Sequence, residues 1–192
     1  MANQPVCLIL HVQLEPLHFN PPIWRRLLVS GYCTLRKLHH FIQAAMGWHS
    51  CHLHEFSDGI RRYLPLDADL PDSEALDDRK YKLRRLLNEG DRLRYVYDFG
   101  DTWQHVIAVE AVEPSSITGT WCEVLDGARA CPPEDVGGVP GYLQFLDAIH
   151  KQPLSEQGRQ ALQWVGGSFD AELFDRRAAN AAVQRICNNF WG

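Results

Sequence analysis

Two short runs hold most of the groups in this chain that can bind an ion or move a proton. The first is His52-Leu-His-Glu-Phe56 and the second is Tyr95-Val-Tyr-Asp-Phe-Gly-Asp-Thr-Trp-Gln-His105. On an extended segment His52 and His54 point to one side, about 7 Å apart, near enough to converge on one ion. In the second run Asp98 and Asp101 flank Gly100, and His105 follows on the same strand face as Trp103. If the two segments are neighbours, His52, His54, Asp98, Asp101 and His105 form a ligand set for a divalent metal such as zinc, manganese or iron. Glu55 or Glu134 would then serve as general base for a metal-bound water. The two aspartates also have a purely local reading, because their side chains suit a tight turn at Gly100.

These groups depend on a hairpin. Leu93, Tyr95 and Tyr97 alternate with Arg92, Arg94 and Asp98, and Trp103, His105, Ile107, Val109 and Ala111 form a second alternating set. A period of two on both sides of an Asp/Gly-rich segment predicts two antiparallel strands. Further strands are expected at Val6–Leu14, Ile23–Val29, Cys51–Phe56 and Ile60–Tyr63. Thr34 is placed to cap a helix ending near Met46, with Gly47 after it and an apolar stripe of Leu35, Leu38, Phe41, Ile42, Ala45 and Met46. Its outer face carries Arg36, Lys37, His40 and Gln43, and with Arg25 and Arg26 it reads as a basic patch or simply a solvated face.

The stretch Leu64–Asp78 is rich in Pro and Asp and reads as an exposed acidic loop. A short helix is expected at Lys80–Asn88. Trp121–Gly138 looks irregular and contains Cys122 and Cys131, whose spacing is not that of a zinc knuckle. Glu134 and Asp135 precede a helix over Pro140–Ile149 and are expected to favour its positive end. Two more helices, Glu156–Trp164 and Leu173–Ile186, follow, the last with a stripe of Phe174, Ala178, Ala182 and Ile186. The chain thus divides into an α+β core over residues 1–150 and a helical extension over 151–192 packed on it. The expected fold is a mostly antiparallel sheet built from hairpins and covered by helices.

The 192 residues suffice for a real core, and the formal net charge of −5 argues against a chiefly electrostatic nucleic-acid binder. The charge is uneven: residues 1–62 hold six Lys/Arg and three Asp/Glu, and the remainder thirteen and twenty-one. No run suits a membrane span, and six scattered cysteines without a C-x-x-C pair fit reduced thiols, so a cytoplasmic protein is expected.

Five motifs in order carry a resemblance over roughly residues 6–187. They are Pro22-Ile-Trp-Arg-Arg26; Thr34-Leu-x-x-Leu-His39 with Met46-Gly-Trp48; His52-Leu-His-Glu-Phe56; Tyr97-Asp-Phe-Gly-Asp-x-Trp-x-His105; and Cys131-Pro-Pro-Glu-Asp-x-Gly-Gly138. The chain resembles the plasmid pRiA4b open-reading-frame-three family, also filed as transposon passenger, TnpR-like proteins. The resemblance implies an α+β fold and a link to mobile elements, and it implies little about activity. The resolvase label attached to such proteins finds no support here, because no serine sits in an arginine-rich catalytic setting.

Two functions remain open. One is an accessory module that binds another protein or a nucleic acid, with Arg25, Arg26, Trp48, Phe99 and Trp103 as anchors. The other is a metal-dependent hydrolase, phosphoesterase-like, built on the His/Asp set.

Overall fold

The computed structural model describes residues 4–16, 19–66 and 74–188. In chain order the elements are β1 (Val6–Leu14), β2 (Trp24–Ser30), α1 (Leu35–Met46), β3 (His54–Ser57), β4 (Arg62–Leu64), β5 (Ala75–Asp77), α2 (Leu83–Leu86), β6 (Arg92–Tyr97), β7 (Trp103–Pro114), β8 (Cys122–Ala128), α3 (Gly138–His150), α4 (Glu156–Trp164) and α5 (Arg176–Asn188). The strands form one sheet in the order β5-β4-β3-β6-β7-β1-β2-β8. Among the described residues only the β4–β5 pair is parallel. The fold is α+β.

Alternation decides which face is covered. Leu8, Leu10, Val12 and Leu14 on β1, Leu27 and Val29 on β2, and Ile107 and Val109 on β7 are all buried. The buried stripe of α1, Leu38, Phe41, Ile42 and Ala45, joins the same core cluster. Thr34 caps α1 as expected, its hydroxyl accepting from the Lys37 N–H, and Gly47 ends it in the left-handed region. On the opposite sheet face β1 presents His11 and Gln13, β6 presents Arg92 and Arg94, and β7 presents Gln104.

Several expectations needed correction. The segment expected to be irregular contains β8, which pairs with β2 across a register shift at Arg26/Leu27; Asp126 and Gly127 had hidden its alternation. The outer face of α1 is not a basic patch, since Lys37 and Gln43 are buried. Lys37 donates to the Ile186 carbonyl of α5 at 3.1 Å, so a helix distant in sequence covers it. The buried positions of α5 are Ala179 and Val183, one residue on from the expected stripe. The acidic stretch contains β5 and ends at Asp78, which is wholly buried; Asp67, Asp69 and Asp72 lie outside the described residues. The helix expected at Lys80–Asn88 shrinks to α2. No helix among the described residues is long and apolar enough to cross a membrane.

Candidate functional site

The expected hairpin between β6 and β7 forms, with Tyr97 opposite Trp103 and Tyr95 opposite His105. Its tip is held by Asp98, whose Oδ1 accepts from the Gly100 N–H at 2.9 Å and lies 3.3 Å from that of Asp101. Asp98 therefore builds the turn with one oxygen and keeps the other free for a second task. It adopts a left-handed φ of 56°, which aspartate tolerates better than most residues.

The loop before α3 is brought onto this tip. Asp101 Oδ2 accepts from the Gly137 N–H at 3.1 Å. Gly138 has φ +66°, and a Cβ there would lie 2.8 Å from the Asp101 carbonyl oxygen. Glycine is thus required for the close approach of the two loops. Glu134 and Asp135, just upstream, do not act as the helix caps expected from sequence. Glu134 accepts from the His49 N–H at 2.7 Å and from the Tyr97 hydroxyl at 3.1 Å. Burial and the neighbouring Glu134 push the Tyr97 phenol well above its ordinary pKa, so it remains a donor.

His52 completes the arrangement from the loop before β3. Its Nε2 lies 3.1 Å from Asp135 Oδ1, 3.6 Å from Asp98 Oδ2 and 4.0 Å from Glu134 Oε2. That nitrogen is shielded from solvent, yet its geometry toward these oxygens is not that of a hydrogen bond. The His52, Asp98 and Asp135 ligand atoms all lie within 4.8 Å of one another. A tetrahedral ion with bonds of about 2.1 Å spaces its ligand atoms roughly 3.4 Å apart, close to the two shorter separations. Among the described residues no lysine or arginine pairs with these three carboxylates. The donor set suits zinc or manganese, with Asp135 on the solvent side at 69 % side-chain exposure.

The structure separates the other expected ligands from this cluster. Strand β3 begins only at His54, so His52 and His54 do not share a strand face. His54 turns inward, stacks on His39 with ring centroids 3.6 Å apart, and bonds Asp78 Oδ2 at 2.9 Å. Arg36 holds both oxygens of that buried carboxylate, at 2.9 and 3.1 Å. His39 in turn bonds the Tyr95 hydroxyl at 2.8 Å, which also accepts from Gln43. Burial holds His39 and His54 below the ordinary histidine range and lowers His40 to about 4. This network cross-links α1, β3 and the segment after β5.

His105 is fully buried beside Trp48 and Tyr95, and among the described residues its ring nitrogens have only the backbone of Tyr95 and Trp103 within reach, without well-formed hydrogen-bond geometry. Burial lowers its pKa to about 3 and keeps the imidazole neutral, and its nitrogens lie in the core, outside the group formed by His52, Asp98 and Asp135. Asp101 serves the loop contact. Glu55 points away and pairs with Arg62 at 2.7 Å, so of the two expected bases only Glu134 borders the cluster.

The expected docking anchors divide in the same way. Arg25 is buried and donates to the carbonyls of Ala45, Trp24, Ala128 and Arg129 at 2.8 to 2.9 Å. Trp103 is buried, and Trp48 is buried with its indole N–H on the Pro132 carbonyl. Arg26 is at the surface but is gripped by Glu110 through two bonds of 2.7 and 2.9 Å. Phe99 is half exposed beside the cluster. Sequence reasoning did not bring Asp135 to His52 and missed the His39 and Asp78 network altogether. The run Glu134-Asp135 before two glycines was the available signal for the first; nothing local marked the others.

Comparison with known proteins places the chain in a family. The model of the plasmid pRiA4b ORF-3-like proteins matches residues 7–178, and the chain belongs to that family. It is 35 % identical over 177 residues to the uncharacterised protein y4hQ of Sinorhizobium fredii (strain NBRC 101917 / NGR234), covering 88 % of this chain and 87 % of that one. It is also similar to the crystal structure of MM3350, a protein of unknown function from Methanosarcina mazei Go1. There the TM-score is 0.78 at 30 % identity, over 92 % of this chain and 97 % of the other.

Proposed function

We propose that this member of the plasmid pRiA4b ORF-3-like family is a divalent-metal protein whose cation sits among His52, Asp98 and Asp135 and serves a hydrolytic, phosphoesterase-like reaction. The observation that carries the reading is the solvent-shielded, unbonded His52 Nε2 facing three carboxylates. An imidazole nitrogen so placed can share a cation with its neighbours, and the spacing suits a bound ion. A metal there would supply Lewis acidity and lower the pKa of a bound water. Glu134, 4.0 Å from the same nitrogen and fixed by Tyr97 and the His49 N–H, is placed to accept that water's proton. Asp135, exposed, leaves an approach for substrate.

The test is metal content and hydrolysis of an aryl phosphate by the same preparation. His52→Ala should abolish both. Glu134→Gln should retain the metal and lose turnover, which separates a base from a ligand. Metal retention in His52→Ala would defeat the assignment.

A second reading, an interaction module, has one specific observation in its favour. Leu53 and Phe99 are exposed apolar residues flanking the cluster, joined by the Asp98 N–H bonding the Leu53 carbonyl at 2.9 Å. They offer an apolar rim for a partner. Loss of a copurifying partner in Leu53→Ser/Phe99→Ser, with metal content unchanged, would favour this reading.

A further inference from the structure

The sheet face turned away from α1 carries a groove of about 700 Å³. Its shape follows from register. Ala108 of β7 lies between Arg92 of β6 and His11 of β1, and Val106 lies between Arg94 and Gln13. At these two rows the central strand contributes short apolar side chains and the flanking strands long polar ones, so the centre is a floor and the flanks are walls. The volume is that of a small-molecule site.

The charge of the groove is directional. Arg92 and Arg94 stand side by side on one wall, are exposed, and have no ion pair among the described residues. On the other wall His11 stacks on Trp24, and behind it Arg26, on the next strand, is already neutralised by Glu110. The one carboxylate lining the groove, Glu15, lies beside Gln104, whose carbonyl accepts its N–H at 2.8 Å. That is the row beyond Arg94 and two rows from Arg92. One end of the groove therefore offers paired guanidinium groups, and the other offers a carboxylate and two side-chain amides, Gln13 and Gln104.

We propose that this groove binds a small polyhydroxylated organic phosphate. The phosphate is held between Arg92 and Arg94, whose forked donors match its oxygens. The body rests on Val106 and Ala108, and its hydroxyls bond Gln13, Gln104 and Glu15. The site is separate from the His52 cluster and does not depend on metal there.

The test is calorimetric titration of ribose 5-phosphate into the full chain carrying His52→Ala and treated with chelator, so that the metal cluster cannot contribute. Ribose 5-phosphate should bind saturably and more tightly than inorganic phosphate or citrate. Arg92→Ala/Arg94→Ala should weaken it by about tenfold or more, the loss of a charge-assisted pair. Ala108→Phe fills the floor while leaving every charge in place, and should weaken it to a similar degree. Melting curves confirm that these surface changes leave the fold intact. Binding unchanged in both variants would overturn the proposal. So would equal binding of citrate, no saturable binding of ribose 5-phosphate, or binding confined to a single-stranded oligonucleotide.

Discussion

His52 Nε2 and Asp135 Oδ1 lie 3.1 Å apart, although one precedes β3 and the other follows β8. Two loops must dock on the hairpin tip for them to meet. The docking contact is the pairing of Asp101 with Gly137 and the close packing of Gly138 on the Asp101 backbone.

Gly138→Ala should therefore damage the site from a distance. The new methyl would meet the Asp101 carbonyl oxygen at 2.8 Å in a left-handed conformation. A loss of roughly 1–3 kcal/mol in urea unfolding is expected. Metal affinity should fall as well, although no ligand is altered; equal affinity in titrations of the two proteins would show that the loops position themselves independently.

Arg25 should act on stability, not on partner binding. Its guanidinium satisfies four backbone carbonyls, lies over the Phe174 ring at 4.3 Å and has no carboxylate partner in the ion pairs described. Arg25→Ala strands buried acceptors and should cost about 3 kcal/mol or more. Arg25→Lys should recover only part, since an ammonium cannot span the same acceptors. Denaturant midpoints measure both.

Acid should destabilise the fold well above the carboxylate range. His40 titrates at about 4 and His105 at about 3 when folded, and burial also lowers His39 and His54. Unfolded histidines take up protons near pH 6.5, so the unfolded state binds more protons as pH falls below that value. Stability is full above about pH 6.5 and declines below it, for His40 until about pH 4. Around Asp78 burial favours the protonated acid, but the bonds from His54 and Arg36 outweigh it and hold the pKa below its usual value. Its contribution is lost only at still lower pH. His40→Gln should flatten the slope of stability between pH 6.5 and 4 by up to about 1.4 kcal/mol per unit.

His105→Phe should leave metal binding unchanged. The ring is enclosed by aromatic neighbours, its nitrogens meet only the Tyr95 and Trp103 backbone without well-formed hydrogen bonds, and it lies outside the His52, Asp98 and Asp135 group, so an apolar replacement leaves that group untouched. Lost metal binding would return His105 to the ligand set.

The strands with regular alternation were legible in the sequence, β1 to the residue, and so were both ends of α1 through Thr34 and Gly47. The strand β8 was not, because Asp126 and Gly127 interrupt its pattern and only pairing with β2 reveals it. Within the candidate site the turn role of Asp98 was legible, because its side chain suits a tight turn at Gly100, and the structure sets it beside His52. The pairing of His52 with His54 failed for a local reason: the chain becomes extended only at His54, which turns one imidazole outward and the other into the core. Asp135 and Asp78 were misread because long-range docking decides their surroundings. A lone acidic residue in a Gly-rich or Asp-rich stretch looks solvated until its partners are known.

The most direct measurement is the metal content of tag-free protein before and after chelation, beside His52→Ala and Asp135→Asn. The wild-type chain should carry about one equivalent of zinc or manganese and lose thermal stability when it is removed. Both variants should remain folded and empty. No metal in the wild type and no stabilisation on adding any, or equal metal in all three proteins, would contradict the site.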